Sequence, residues 1–178
     1  MLALHQAQRI HGWMSDAELL FLAHTAKKSK LIYEIGSYIG RSTRAMGDNT
    51  EGIVYAIDPW DVINFDGNEA GIVFSTDATI YNMFHCNNYD LIQAKKVIPV
   101  RSLWADWHPT ELADFIFIDG DHRYEVVKKD IAKALMYLKS DGILAGHDYA
   151  HPWKGVIKTV NEYFQTVNSV DTIWWVQT

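Results

Sequence analysis

Leu31-Ile-Tyr-Glu-Ile-Gly-Ser-Tyr-Ile-Gly40, followed by Arg41-Ser42-Thr43, is the most informative stretch of this chain. An apolar run ends in an acid, two glycines follow four residues apart, and a helix-compatible segment begins. The pattern predicts a buried strand that turns sharply into a helix whose exposed backbone N–H groups face a ligand. Gly36 supplies a backbone geometry or close approach that a Cβ would obstruct. A dinucleotide fingerprint needs glycine where this chain has Tyr38, and a side chain there would keep a pyrophosphate away from the backbone. A P-loop needs four residues between its glycines and then Lys-Ser/Thr; here three intervene and Arg41-Ser42 follow. An S-adenosylmethionine (SAM) loop remains, beside a plain strand–helix turn whose glycines serve packing alone.

Outward from that loop, strands and helices alternate. Ser15-Asp-Ala-Glu18 is a capping box ahead of Leu19, Leu20 and Leu22, which predicts a helix over about 15–28. Strands are expected at 31–35, 53–57, 97–100, 115–118 and 143–145, and a last β-prone run at 172–176. Helices are expected at about 40–47, from Ser75 or Thr76 to about 92, over a face running from Val126 to Leu138, and at about 155–165. The polar, glycine-containing segment 61–74 reads as a loop that closes over a ligand or as a plain surface loop. Such alternation implies right-handed βαβ units: an α/β, Rossmann-like, doubly wound, mostly parallel sheet with helices on both faces. The 178 residues read as one domain, 1–178, with 1–29 as an N-terminal helical region.

In such sheets ligands bind beyond the carboxyl ends of the strands. The distinctive polar residues gather there: Glu34, Gly36, Ser37, Tyr38, Gly40 and Ser42 around the first strand, Asp58 after the second, Arg101-Ser102 after the third, Asp119 to His122 after the fourth, and His147-Asp148 after the fifth. Asp58 lies 22 residues beyond Gly36, where a carboxylate can accept from both ribose hydroxyls, although an acid before Pro59 also ends a strand as a turn residue. Trp60 is placed to pack beside an adenosine or within the core. His122, with an ordinary pKa near neutrality, is the first candidate for a general base, with His147 in reserve; a hydrogen-bonded turn histidine is the alternative for His122.

Composition narrows the classes. With 48% apolar and 21% charged residues the chain is globular in character. A formal charge of −6 argues against a nucleic-acid partner, and no apolar stretch reaches membrane-spanning length. One cysteine, Cys86, and an N-terminus without a charged-then-apolar pattern point to a cytoplasmic protein.

Glu34-x-Gly36-x-Tyr38-x-Gly40-x-Ser42 resembles motif I of class I methyltransferases, and the tyrosine in place of a middle glycine resembles the catechol and macrocin O-methyltransferase-like branches. The resemblance runs over about 12–176 and includes “GWMS-AELLFLA”, “IDPW”, “FIDGDHRYE” and “GILAGHDY”. It implies SAM as cofactor and O-methylation of a small hydroxylated molecule, such as a sugar or glycosylated metabolite. By the same resemblance Asp58 holds the ribose of SAM and Ser102 with Arg101 lies by the adenine. Asp119, also assigned to the cofactor side, and Asp148 stand where related enzymes hold Mg²⁺. His122 falls where catechol-type enzymes carry a catalytic lysine. This chain departs from them in having His147-Asp148 rather than two acids, or an acid and an amide. Imidazole suits Mn, Fe or Zn better than Mg²⁺, so a different metal, a His147 outside the ligand set, and no metal at all stay open. A family-type C-terminal hairpin leaves so little chain that one of its strands must be very short or missing. A non-catalytic SAM-binding module and an NAD-dependent oxidoreductase are the competing functions.

Overall fold

The structure, a computed structural model, describes residues 2–60 and 77–178. The expected closing segment 61–74 and the Ser75/Thr76 cap lie outside the described residues. Two helices, α1 (His5–Arg9) and α2 (Asp16–Lys27), precede strand β1 (Leu31–Ile35). Then come α3 (Arg41–Gly47), β2 (Ile53–Asp58), α4 (Asp77–Asn87), α5 (Tyr89–Gln93), β3 (Val97–Arg101) and β4 (Ala113–Ile118). The chain continues through α6 (Tyr124–Met136), β5 (Leu138–Gly146), α7 (Lys154–Tyr163), β6 (Asn168–Val170) and β7 (Ile173–Gln177).

The strands form one sheet in the order β3-β2-β1-β4-β5-β7-β6. Pairing is parallel from β3 to β5, and β7 runs antiparallel to both β5 and β6. The order reverses at β1, so the switch point lies between β1 and β4, beside the loop after β1. Alternate residues of β1 supply the two faces. Ile32 enters a core with α2, α3 and α4; Tyr33 and Ile35 enter one with α6 and α7. The hairpin is complete, and its short member is the three-residue β6. No helix among the described residues is long and apolar enough to cross a membrane.

Two boundaries differ from expectation. The helix predicted up to about 92 is broken at Asn88, which is fully buried and leaves helical geometry at φ −120°. Its Nδ2 donates to the carbonyls of Phe84 (3.2 Å) and Gly40 (3.4 Å), and this bond to the β1–α3 loop accompanies the break. Leu138, expected as the last apolar position of a helix, instead begins β5 opposite Ala113. Its side chain joins the same core as Ile131 and Ala134, so helical spacing alone cannot see that α6 has ended.

Candidate active site

Backbone bonds stitch four strand ends together. Gly36 N–H donates to Ile57 O (2.9 Å), Asp119 N–H to Ile35 O (2.7 Å) and His147 N–H to Ile118 O (3.0 Å). At Gly36, φ is +84° and a Cβ would stand 2.2 Å from the Asp119 carbonyl oxygen, so only glycine lets β1 turn this close to β4. Gly40, at φ +89°, has Asn88 Nδ2 where a Cβ would go, 2.0 Å away.

The loop is braced from below. Glu34 is fully buried and accepts hydrogen bonds from the hydroxyls of Ser37 (2.7 Å), Ser42 and Thr43. Burial drives its carboxyl up to about 7, against the pull of those three donors. Glu34 and Ser42, both named as cofactor contacts from the sequence, thus hold the loop from inside the protein. Asp58 reaches across from β2. Its Oδ2 accepts from the N–H groups of Ser37 and Tyr38 (both 2.9 Å) and its Oδ1 from that of Trp60 (2.7 Å). The N–H groups expected to face a ligand are therefore, at Ser37 and Tyr38, turned onto a carboxylate, because the chain reverses tightly over the end of β2. Trp60 lies in the core, 1% exposed, against Tyr81 and Phe84, with Nε1–H donated to Tyr38 O (2.7 Å). It supports the loop from within the core, one of the two places expected for it. Arg101 and Ser102 stand at the β3 end. The Arg101 guanidinium lies 5.5 Å over the Tyr81 ring and donates to Pro59 O, and Ser102 N–H reaches Asp58 O (3.3 Å).

Across the switch point the site changes character. His122 Nε2 lies 2.6 Å from Asp148 Oδ2, and its ring stacks on Trp153 at 3.9 Å with 22° between planes. Burial lowers the His122 pKa, but the Asp148 bond and the charges of Asp148, Asp119 and Asp121 outweigh it and leave the imidazole raised. His147 is buried. Its Nδ1 faces Asp119 Oδ1 (3.5 Å) and Asp148 Oδ2 (3.3 Å), and its Nε2 faces Glu18 Oε1 (3.3 Å) and Thr172 Oγ1 (2.9 Å). Burial opposes charge here too, but the three carboxylates hold His147 pushed up to about 12. The expectation of His147 as a reserve base is corrected: both ring nitrogens are walled in, and an imidazole this basic does not hand protons on near neutrality. Asp148 is held below the ordinary carboxylate range, because hydrogen bonds from both histidines exceed the burial that would raise it. Asp119 is raised by burial.

Asp119, His122 and Asp148 each offer a donor atom within 4.8 Å of the others, and His147 Nδ1 points at the same two acids. Two carboxylates with imidazole nitrogen fit a divalent ion, Mn²⁺, Fe²⁺, Co²⁺ or Zn²⁺ better than Mg²⁺. A proton on Nδ1 and an ion there are alternatives, since a ligating histidine is neutral.

The structure thus brings Asp119, His122, His147 and Asp148 into one pocket, with Val127 and Trp174 beneath. It places Gly36 at the edge of that pocket, against Asp119, and joins Asp58, Ser37 and Tyr38 on the far side of β1. Three site residues escaped the sequence reading: Glu18, Thr172 and Asn88. Glu18 was visible only as a capping residue, which it also is, accepting from Ser15 N–H at 2.8 Å. Among the described residues, three of the five non-glycine residues with positive φ, Tyr38, Trp60 and Asp148, lie at these strand ends, and such strain gathers where a site over-determines its backbone.

Residues 33–149 match the family model described as a methyltransferase domain. A curated relative, the uncharacterized protein R132 of Acanthamoeba polyphaga mimivirus, is 29% identical over 130 residues, 72% of this chain. The match spans only 56% of that protein's length. Among solved structures, the O-methyltransferase of Bacillus cereus in complex with SAH superposes with a TM-score of 0.68 at 17% identity, covering 98% of this chain and 86% of that one. The O-methyltransferase TomG of Streptomyces achromogenes, in complex with SAM, gives 0.68 at 14% identity, covering 93% and 82%. An rRNA methylase of Streptococcus thermophilus gives 0.63 at 15%, covering 94% and 99%. At these identities the likeness concerns the fold.

Proposed function

This chain belongs to the methyltransferase-domain family, and from that we propose that it transfers the methyl group of SAM to a hydroxyl oxygen of a small molecule. The single observation that carries the reading is the convergence, around the sheet's switch point, of a glycine loop tied to Asp58 with a hydrogen-bonded His122–Asp148 pair. SAM supplies an electrophilic methyl on a sulfonium, and its transfer leaves S-adenosylhomocysteine (SAH). Asp58 holds the ribose side, Ser102 and Arg101 lie toward the adenine, and Gly36 keeps the loop close enough to Asp119 for donor and acceptor to meet in line.

His122 is the general base. With Nε2–H given to Asp148, its other nitrogen, Nδ1, is the basic one and takes the acceptor's hydroxyl proton as the new O–C bond forms and the C–S bond breaks. Asp148 fixes that tautomer and stabilises the imidazolium that results, and the stacked Trp153 fixes the ring plane. Asp119 and Asp148, with His147, would hold a divalent ion, which would lower the pKa of an acceptor oxygen bound to it. The negative net charge favours a small acceptor over a nucleic acid, and a sugar or glycoside hydroxyl is the first class to try.

Calorimetry with SAH is expected to give micromolar binding that is lost in Asp58→Ala. Absence of binding by both SAM and SAH would remove the cofactor assignment. A mass-spectrometric screen of hydroxylated sugars and glycosides for a gained methyl group tests the transfer. In His122→Ala the rate should fall by roughly 10²–10⁴-fold with SAH affinity unchanged. Binding without transfer to any acceptor, insensitive to His122, would mark a SAM-binding module instead.

A further inference from the structure

His147 directly follows β5 and precedes Asp148, and its outer nitrogen does not face solvent. Nε2 is 3.3 Å from Glu18 Oε1 and 2.9 Å from Thr172 Oγ1. Glu18 Oε1 also accepts from Thr172 N–H (2.9 Å) and Thr172 Oγ1 (2.7 Å). Glu18 comes from α2 and Thr172 from the turn between β6 and β7, so two remote segments close on one ring nitrogen. Glu18 is 2% exposed and His147 9%, which keeps water from replacing either partner.

We propose that Glu18 is a positioning residue that fixes His147 with Nε2–H outward and Nδ1 aimed between Asp119 and Asp148, so that the site takes a borderline transition ion in preference to Mg²⁺. The inference deepens the methyl-transfer reading of the same pocket. Its warrant is the chemistry of ligating histidines: the nitrogen away from the metal donates to a carboxylate or carbonyl, which sets the tautomer and the ring orientation. Here the carboxylate is in place on one side of the ring and two acids wait on the other, at 3.3 and 3.5 Å. An imidazole nitrogen in the set moves selectivity away from Mg²⁺, which prefers oxygen and near-ideal octahedral geometry. The side-chain bonds of Glu18 and Thr172 run to Ser15, to His147 and to each other, so cofactor binding is expected to hold when they are changed.

The experiment is a titration of the purified chain with Co²⁺ and with Mg²⁺, Co²⁺ being followed by its visible absorption and both by calorimetry, with SAH binding measured alongside. Glu18→Gln should weaken Co²⁺ binding about 10–100-fold and alter the Co²⁺ spectrum while SAH affinity holds. His147→Asp should narrow the Co²⁺-over-Mg²⁺ preference by at least about tenfold. In the His147→Asp background, Glu18→Gln should leave Co²⁺ affinity unchanged, because Glu18 then has no ring to orient. Equal weakening by Glu18→Gln in both backgrounds would show a merely structural role and overturn the proposal. So would a wild-type chain that takes up no Co²⁺, or an unchanged ion preference in His147→Asp. Should His147→Asp fail to fold, judged by lost SAH binding, the Co²⁺ spectrum and affinity of Glu18→Gln against wild type decide alone. Loss of SAH binding in the wild type would instead count against the methyl-transfer reading.

Discussion

The two ends of the site are built from opposite materials. Around β1 and β2 the work is done by backbone: two left-handed glycines, N–H groups given to Asp58, and a buried Glu34 that three hydroxyls cradle from below. Around β4 and β5 it is done by side chains: two imidazoles and three carboxylates from α2, the β4 end and the β5 end, with Thr172 of the hairpin completing the ring. Both ends contain a buried acid, yet the two behave differently. Glu34 has only neutral donors, and burial drives it up to about 7; Glu18 has His147 and is held down at about 2. The lesson is that burial with neutral donors alone leaves a carboxylate raised, as at Glu34, whereas an imidazole partner together with further donors brings one down, as at Glu18.

The comparison can be broken hardest at Trp60. If the cofactor end is a packed support and not an open aromatic wall, Trp60→Ala should cost about 3–5 kcal/mol in urea unfolding, the range for emptying a buried aromatic site. SAH affinity should fall with it, because the bond from Nε1–H to Tyr38 O goes too. A variant that keeps wild-type stability and merely binds SAH less well would restore the stacking role. Next in size is Gly36→Ala, expected to cost roughly 2–4 kcal/mol from the positive φ and the overlap with the Asp119 carbonyl. Since that overlap joins the two ends, the same variant should disturb the His122–Asp148 pair, visible as a shift of the His122 ring resonances in NMR.

The same contrast sets what the sequence could disclose. β1 lies at 31–35 as its apolar run and following glycine imply, and Asp58, Asp119, His122 and Asp148 fall at strand ends because parallel topology puts them there. Those signals are local or follow from element order. For Glu34 and Trp60 the spacing shows that a residue is near a loop but not whether it lies above or beneath it. Glu18 and Thr172 were invisible for a different reason. They lie 154 residues apart, and nothing in either neighbourhood announces that both meet one histidine. The break at Asn88 and the start of β5 at Leu138 were hidden because helix and core share the same apolar pattern across both boundaries.

The smallest effect, taken per pH unit, is the one that tests the raised acid of this contrast. Glu34 has a folded pKa raised to about 7 from the ordinary 4.5, so between those values the folded state binds more protons than the unfolded one. Stability must then fall as pH rises through that window, by at most about 1.4 kcal/mol per pH unit for one group, and the contribution is fully present only below 4.5. Asp130, also buried and also raised to about 7, adds a slope of the same sign, first from burial and then from the charge of Asp121. Urea denaturation at stepped pH should therefore show a decline from about 4.5 to 7 that is shallower in Glu34→Gln, and shallower again when Asp130→Asn is added. Glutamine keeps one acceptor oxygen, and its NH2 can donate to the hydroxyl on the other side once that hydroxyl rotates to accept, so the fold at neutral pH should survive the change. An unaltered slope in Glu34→Gln would mean that the three hydroxyl donors outweigh burial and keep Glu34 ionised, and the contrast between the two ends would then rest on geometry alone.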